Sequence, residues 1–435
     1  MSEQNTHSTA HHNPLSPVNP NDRVFTGLSH ASLWFSLGVG LLVMQVGSYL
    51  VPAMGTRDAL MAIVIGSIIG AGLLAWVAKI GCDSGLTSAG LIHHVYGQSF
   101  AKLPVMLNIV QLVGWTTFEL VVMREGTQAI TQKAFGVELS TVWTTLLWGG
   151  ILILLMTGSM LTLVRRFVSR FGLPLVILSL LWLSWHFVGV AQQQGMDALL
   201  ARPGTGAMSM LSAVDLVMAM PISWLPLVAD FARHGTSGRS TLRGTWLGYA
   251  LANTWCYTLG VLVASVSEPG TDLVAALLLA QGGLLALGLI LLDELDNAYG
   301  DVYSGAVSSR SLYSAWSLRR WGMLIAAICT ALAMVLPMHS LEPFLLTLSS
   351  IFVPLYGVIL GRLCSGAVVN AGLTNPVHSG KRVDVVAAGI WISGIAVFHA
   401  SAQLTPQWGA AIPSLIFTFA LAMATRPSIP KVAAN

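Results

Sequence analysis

Residues 32–52 read SLWFSLGVGLLVMQVGSYLVP, and residues 221–226 read PISWLP. Both stretches are apolar enough to sit in hydrocarbon, yet neither is good material for an unbroken helix. In the first, Gly38, Gly40, Gly47 and Ser48 surround the amide Gln45, and irregular backbone at membrane depth is tolerated only where it lines a cavity or is buried in protein. In the second, Pro221 and Pro226 remove two amide donors, so the carbonyls they would have met need other partners. Secondary carriers place substrate where two helices unwind in matching positions of two repeats. The two stretches are therefore read as discontinuous helices opening onto one site. Tight glycine packing and a simple proline kink are the alternatives for either stretch taken alone.

The rest of the chain has the composition of a polytopic membrane protein. Of 435 residues, 54% are apolar and 9% charged, with a mean hydropathy of +0.73. A soluble domain carries about a quarter charged residues, so this chain cannot cover a water-facing surface. Twelve apolar segments separate at polar breaks, at about 32–54, 59–80, 103–131, 142–161, 170–191, 211–232, 243–266, 272–303, 321–338, 341–362, 384–402 and 408–425. With the N-terminus inside, seventeen of the 21 Lys and Arg residues fall on the cytoplasmic side, and only Arg57, Arg124, Lys133 and Arg202 on the other. A missed span would scramble that asymmetry. The expected fold is all-α, with twelve transmembrane helices and both termini cytoplasmic. Its broken first and sixth spans lie five apart, which suits a 5+5 inverted repeat (32–191 and 211–362) followed by two accessory helices (384–425).

Residues 1–30 read as a disordered cytoplasmic tail and 426–435 as a second short tail, flanking one transporter domain over 31–425. The opening stretch, with His7, His11 and His12, lacks the pattern of a cleaved signal peptide. No segment between spans is long enough to bury a core, so a soluble enzyme on an anchor is excluded. No span alternates as a β-barrel strand does. Cys82, Cys256, Cys329 and Cys364 form no CxxC pair and read as small buried hydrophobes, with no disulfide framework and no metal site. The net charge of +3 and the lack of a basic cluster leave no reason to invoke nucleic acid.

Ionisable residues at membrane depth are costly and are functional candidates by default. Glu119 lies mid-span, one helical turn after Trp115, so an indole and a carboxylate project from one side. Such a pair can stack a flat ring and hydrogen-bond its edge. Arg124 and Glu125 read as a structural pair near the end of the same helix. The eighth span carries Asp293, Glu294, Asp296, Asn297, Tyr299, Asp301 and Tyr303, with Asp293, Asn297 and Asp301 on one face at i, i+4, i+8. Either this helix lines a hydrated cavity or some of its acids are protonated; the alternative, weightiest for Asp301, is a wet helix end leading to Arg310. Asp215 and Asp230 flank the second break, and Asp230 reads as the partner of a nearby arginine. His93 and His94 read as interfacial. No HExxH, P-loop or GxSxG pattern supplies hydrolytic or nucleotide-driven chemistry.

The segments NIVQLVGWTTFE (residues 108–119), ISWLPLVADFAR (222–233) and DNAYGDVYSGAVS (296–308), with the first span and residues 81–97, resemble the nucleobase–cation symporter-1 family. The resemblance covers roughly residues 30–320 and is nearest to the hydroxymethylpyrimidine subgroup and the cytosine permeases. It implies the leucine-transporter fold, alternating access and residence in a bacterial inner membrane. It implies a flat heterocycle held between Trp115 and Trp224, with Glu119, Asn297 and Gln45 as further substrate-binding residues. Glu119 stands where the family has an amide, a change that suits an aminopyrimidine. In sodium-coupled relatives the eighth span offers hydroxyls to the ion; here that region holds acids. Asp296, Asp293 and Asp301 are therefore the candidates for coupling, with H+ or Na+ as the coupling ion and no organic cofactor. The expected function is symport of hydroxymethylpyrimidine or a related pyrimidine or nucleobase such as cytosine. A same-fold carrier for an amino acid or amine is the alternative, and an intramembrane enzyme or a channel has no residues to support it.

Overall fold

The computed structural model describes residues 15–157, 172–268, 270–335, 341–364 and 382–426. His7, His11, His12, Arg165, Arg166, Arg170, His339, Lys381 and Lys431, with the end of the fourth expected segment and the start of the fifth, lie outside the described residues.

The first expected span is broken where its glycines fall. Helix α1 (Gly27–Ser36) starts at a reciprocal cap between Thr26 and Ser29, stops before Gly38, and is followed by α2 (Leu41–Tyr49) at an angle of 63°. The second break follows the prolines. Between α3 (Thr56–Ser84), α4 (Ser88–Tyr96), α5 (Lys102–Phe135), α6 (Thr141–Leu155), α7 (Leu173–Gln194) and the short α8 (Met196–Leu200) on one side and α11 (Gly238–Val266) on the other, α9 (Met210–Ser223) and α10 (Leu225–Ala232) meet at Trp224, bent by 41°. The remaining helices are α12 (Leu273–Leu279), α13 (Gly283–Leu312), α14 (Leu318–Val335), α15 (Leu341–Leu363), α16 (Val385–Leu404) and α17 (Ala411–Ala424).

Glycine faces hold both broken spans at backbone distance. On α11, a Cβ at Gly248 would strike the carbonyl of Ala31 and one at Gly260 the carbonyl of Met44. On α3, a Cβ at Gly70 would strike the Pro221 ring and one at Gly81 would strike Ala229. So α11 lies against the first broken span and α3 against the second. Small residues at such contacts let helix backbones approach in a medium that gives no hydrophobic drive to associate. These four elements form one group, and α5 and α13 pack along each other beside it.

Among the described residues, seven helices (α3, α5, α7, α11, α14, α15 and α16) are long and apolar enough to cross a membrane, or nine spans if each bent pair counts once. Three of the twelve expected segments do not meet that test. Helices α6 and α17 are short, at 15 and 14 residues, and α13 is 30 residues long but acidic.

The expected eighth span, 272–303, is in fact two elements. Asp272 caps α12 by accepting the Ala275 N–H at 2.9 Å, and α12 ends before Gly282, whose φ of 72° lies in the left-handed region that favours glycine. Helix α13 then runs nine residues beyond the expected boundary. Asp301, read alternatively as a wet helix end, lies well inside it and is buried.

The N-terminal segment departs from the expected disordered tail. The N–H groups of Val24 and Phe25 both donate to His234 O, Thr236 N–H returns to Phe25 O, Arg23 donates to Cys82 O at 2.7 Å, and Val18 N–H to Gly85 O at 2.9 Å. Polar composition suggested disorder, but the backbone of residues 18–25 is paired to the loop after α10 and the end of α3. His93 is buried on α4, and burial, with Lys102 nearby, lowers its pKa to about 4. Arg124 and Glu125 pair as expected, at 2.8 Å.

Candidate functional site

Each break leaves backbone groups that a side chain must satisfy. At the first, α13 supplies them. Glu294 Oε1 accepts the Leu41 N–H at 2.5 Å, at the N-terminus of α2, and Asn297 Nδ2 donates to Val39 O at 3.2 Å. One position earlier, Asp293 accepts the Ser36 hydroxyl at 2.7 Å. At the second break, α5 does the same work. Gln111 Nε2 donates to Ser223 O at 3.1 Å and Asn108 Nδ2 to Pro226 O at 3.1 Å. The proline at 221 frees a carbonyl further up, and the Tyr257 hydroxyl approaches Val217 O at 3.4 Å.

A narrow cavity lies between the two breaks. It is lined by Leu37, Gly40, Leu42 and Val43 from the first broken span and by Met220, Ser223 and Trp224 from the second. Helix α5 adds Trp115 and Glu119, and α13 adds Glu294, Asn297 and Asp301. Four of the five expected substrate residues thus share one cavity. The fifth, Gln45, does not. It lies in a separate cavity with Ser48, Glu268 and Asp272, one turn along α2 from the break, and donates to the Ser48 hydroxyl at 3.3 Å.

Of the expected coupling residues, only Asp301 lines the central cavity. Asp293 is buried behind it against Ser36, and Asp296 is half-buried and lines neither cavity. The i, i+4, i+8 reading from Asp293 picked a face rotated from the one that meets the site. Glu294, Asn297 and Asp301, at i, i+3, i+7, are the residues that reach it. Glu294 was in view in the sequence but was not singled out, and its signal was this second spacing. Ser223 was named only as part of the broken motif.

The aromatic walls are fixed from behind. The Trp115 ring meets Phe344 of α15 edge-on at 5.2 Å, and Phe118 packs against the same Phe344 at 4.9 Å. Trp224 meets Trp34 of α1 edge-on at 5.8 Å, and Trp34 is itself fully buried against Tyr249 and Phe231. Rings held in this way offer flat apolar faces at small entropic cost to a planar ligand. Among the described residues, Asp230 is not paired through its carboxylate to an arginine. It accepts the Ser88 N–H at 2.9 Å and the Ser304 hydroxyl, while Arg233 Nε donates to its backbone carbonyl at 3.3 Å. Asp215 instead accepts the N–H groups of Ala410 and Ala411, capping α17.

Residues 17–409 match the family model described as permease for cytosine/purines, uracil, thiamine, allantoin. The chain belongs to this family, the nucleobase–cation symporter-1 family. It is an integral membrane transporter and not an enzyme. The cytosine permeases of Escherichia coli K12 and O157:H7 are each 24% identical to it over 418 residues, covering 90% of this chain and 91% of theirs. Among solved structures, the nucleobase–cation symporter Mhp1, closed with bromovinylhydantoin bound, superposes with a TM-score of 0.79 at 16% identity, covering 94% of each chain. The inward-facing form of Mhp1 gives 0.74 at the same identity, over 94% of this chain and 92% of that one. MhsT, in complex with L-phenylalanine, gives 0.61 at 16% identity, over 91% of this chain and 98% of that one. The fold is accordingly of the leucine-transporter type, as the family resemblance implied.

Proposed function

We propose that this protein is a symporter that imports hydroxymethylpyrimidine or a closely related pyrimidine or nucleobase such as cytosine, by alternating access coupled to H+ or Na+. The observation that carries this reading is the cavity at the junction of the two breaks, where the Trp115 and Trp224 rings and the Glu119 and Asn297 side chains converge. Flat aromatic walls with a few polar edge groups suit a planar heterocycle. The family and the two cytosine permeases support the same class.

In this reading the chain crosses the membrane twelve times. The nine spans counted by length and composition are joined by α6, α13 and α17, and the acids of α13 are accommodated because it packs against α5 and the first broken span rather than lipid. The first ten spans form two inverted five-helix repeats, and the excess of Lys and Arg on one side supports cytoplasmic termini. Asp301, within the cavity, and Asp293, tied to α1 through Ser36, are the residues through which an ion is coupled, with Asp296 as a third candidate.

Uptake of labelled hydroxymethylpyrimidine, cytosine, uracil and allantoin into cells expressing the protein tests the proposal. Saturable uptake that collapses with the ion or proton gradient is the expected result. An absence of saturable uptake of any heterocycle overturns it.

A further inference from the structure

The half-helix α2 begins at Leu41, just after Gly40, and in a broken span such an N-terminus is where an anionic substrate group is ordinarily received. Here that position is already filled. Glu294, 1% exposed, places Oε1 on the Leu41 N–H and is fixed from its other oxygen by Asn297 Nδ2 at 3.5 Å. The protein has supplied its own anion where a substrate carboxylate would otherwise bind.

The remaining side-chain groups are one-sided. Glu119 is 3% exposed with Oε2 unpartnered, and Asn297 is 5% exposed with Oδ1 unpartnered. Asp301 is a third carboxylate on the cavity wall. The Asn297 amide N–H groups are directed to Val39 O and Glu294, and the Ser223 hydroxyl is spent on Met220 O at 2.7 Å. Among the described residues, the Trp115 indole N–H on the wall is a buried side-chain donor without a partner. No Lys, Arg or His among the described residues lines the cavity. A buried acceptor left unmatched costs about 1–3 kcal/mol, so the ligand must bring donors.

We infer that the site selects a heterocycle carrying an amidine edge, an amino group beside a protonated ring nitrogen, whose two N–H donors pair with Glu119 as amidinium to carboxylate, and that it rejects dicarbonyl and carboxylate-bearing rings of the same size. This rests on the heterocycle reading above and narrows it. The pair is the bidentate, charge-assisted kind that carries geometric specificity. A dicarbonyl ring would set its oxygens against Glu119, Asp301 and Glu294, and a ring carboxylate would find the α2 terminus occupied.

The test uses purified full-length protein in lipid nanodiscs, read by quenching of tryptophan fluorescence and by a radioligand competition assay. The probes are 2,4-diaminopyrimidine, cytosine, uracil and orotate, which differ little in size. The expected order is diaminopyrimidine, then cytosine, then uracil, with at least tenfold between the first and third and no binding of orotate. Glu119→Gln should weaken diaminopyrimidine at least tenfold while leaving uracil within threefold, a pattern that misfolding would not give. Uracil or orotate binding as tightly as the amino rings overturns the inference alone and leaves the heterocycle reading standing. If none of the four binds to protein that is monodisperse and thermally cooperative, the inference falls, and the uptake assay with hydroxymethylpyrimidine and allantoin decides whether the heterocycle reading falls with it.

Discussion

Gln111 donates to the carbonyl of Ser223 at 3.1 Å, joining an unbroken helix to the point where its neighbour unwinds. The carbonyl is free because Leu227 N–H, its partner in a regular helix, bonds instead to Trp224 O. Replacing Gln111 by Leu therefore leaves a buried acceptor unmatched. The expected loss is about 1–3 kcal/mol, with a lower thermal midpoint and reduced uptake. A thermal melt of the detergent-solubilised variant checks it, and a midpoint equal to wild type would show that the break does not depend on this amide.

Glu294 does two things that one substitution separates. Glu294→Gln retains an oxygen for the Leu41 N–H and loses only the charge at the α2 terminus, worth about 0.3–1 kcal/mol. Glu294→Ala loses the acceptor as well. Uptake should fall severalfold in the first and be abolished in the second, and initial-rate transport in proteoliposomes at matched protein levels distinguishes them.

At the other end of α10, Asp230 ties the second broken span to α4 through Ser88 N–H and to α13 through Ser304. Asp230→Ala removes both ties and should let this end open more often. A cysteine placed at Ser308, which is fully buried beside Asn108, should then react with maleimide at least severalfold faster than in the parent. Equal rates would show that these bonds do not hold the end shut.

Glycine packing gives a steric prediction. Gly248→Ala and Gly260→Ala would each press a methyl onto a carbonyl of the first broken span, which backbone cannot relieve cheaply. Gly150→Ala, where a Cβ meets nothing within 4 Å, is the control. The first two should each cost about 1–3 kcal/mol and the control should be neutral, as read from thermal melts.

Acid stability carries the sign of a depressed histidine. His93 is held neutral by burial to a pKa of about 4, against an ordinary value of 6.5. Between these values the unfolded chain binds a proton that the folded chain does not, so stability falls as pH drops through this window and is fully present above it. His94 is shifted in the same direction by burial. The thermal midpoint of wild type should therefore decline from pH 6.5 to 4 more steeply than that of His93→Leu.

Much of the site was legible because its chemistry is local. Gly38 and Gly40 and the Pro221/Pro226 pair break helices through their own backbones, and Trp115 and Glu119 share a face by spacing alone. What was not legible depends on rotation and distance. Asn297 and Asp301 belong equally to a face led by Asp293 and to one led by Glu294. Which of these meets the cavity is decided by how α13 packs on α5, for instance where Leu291 fills the space at Gly126. Gln45 failed for the same reason, since one turn along a half-helix is enough to point it into another cavity. The order in residues 18–25 comes from bonds to the end of α3 and to a loop more than 200 positions away, which composition cannot reveal.

The amides and carboxylates that complete each break come from the opposite half of the chain, Glu294 and Asn297 serving the first and Asn108 and Gln111 the second. A ribosome releasing this protein into a membrane would therefore expose the carbonyl of Val39 and the amide of Leu41 long before their partners are synthesised. The opening span must wait, hydrated or shielded by the insertion machinery, for some 250 further residues, while the later break meets its partners, already in place, as soon as it emerges. Maturation of such a chain is thus tied to its completion, and a product truncated before α13 carries an unfinished first span that quality-control proteases can recognise.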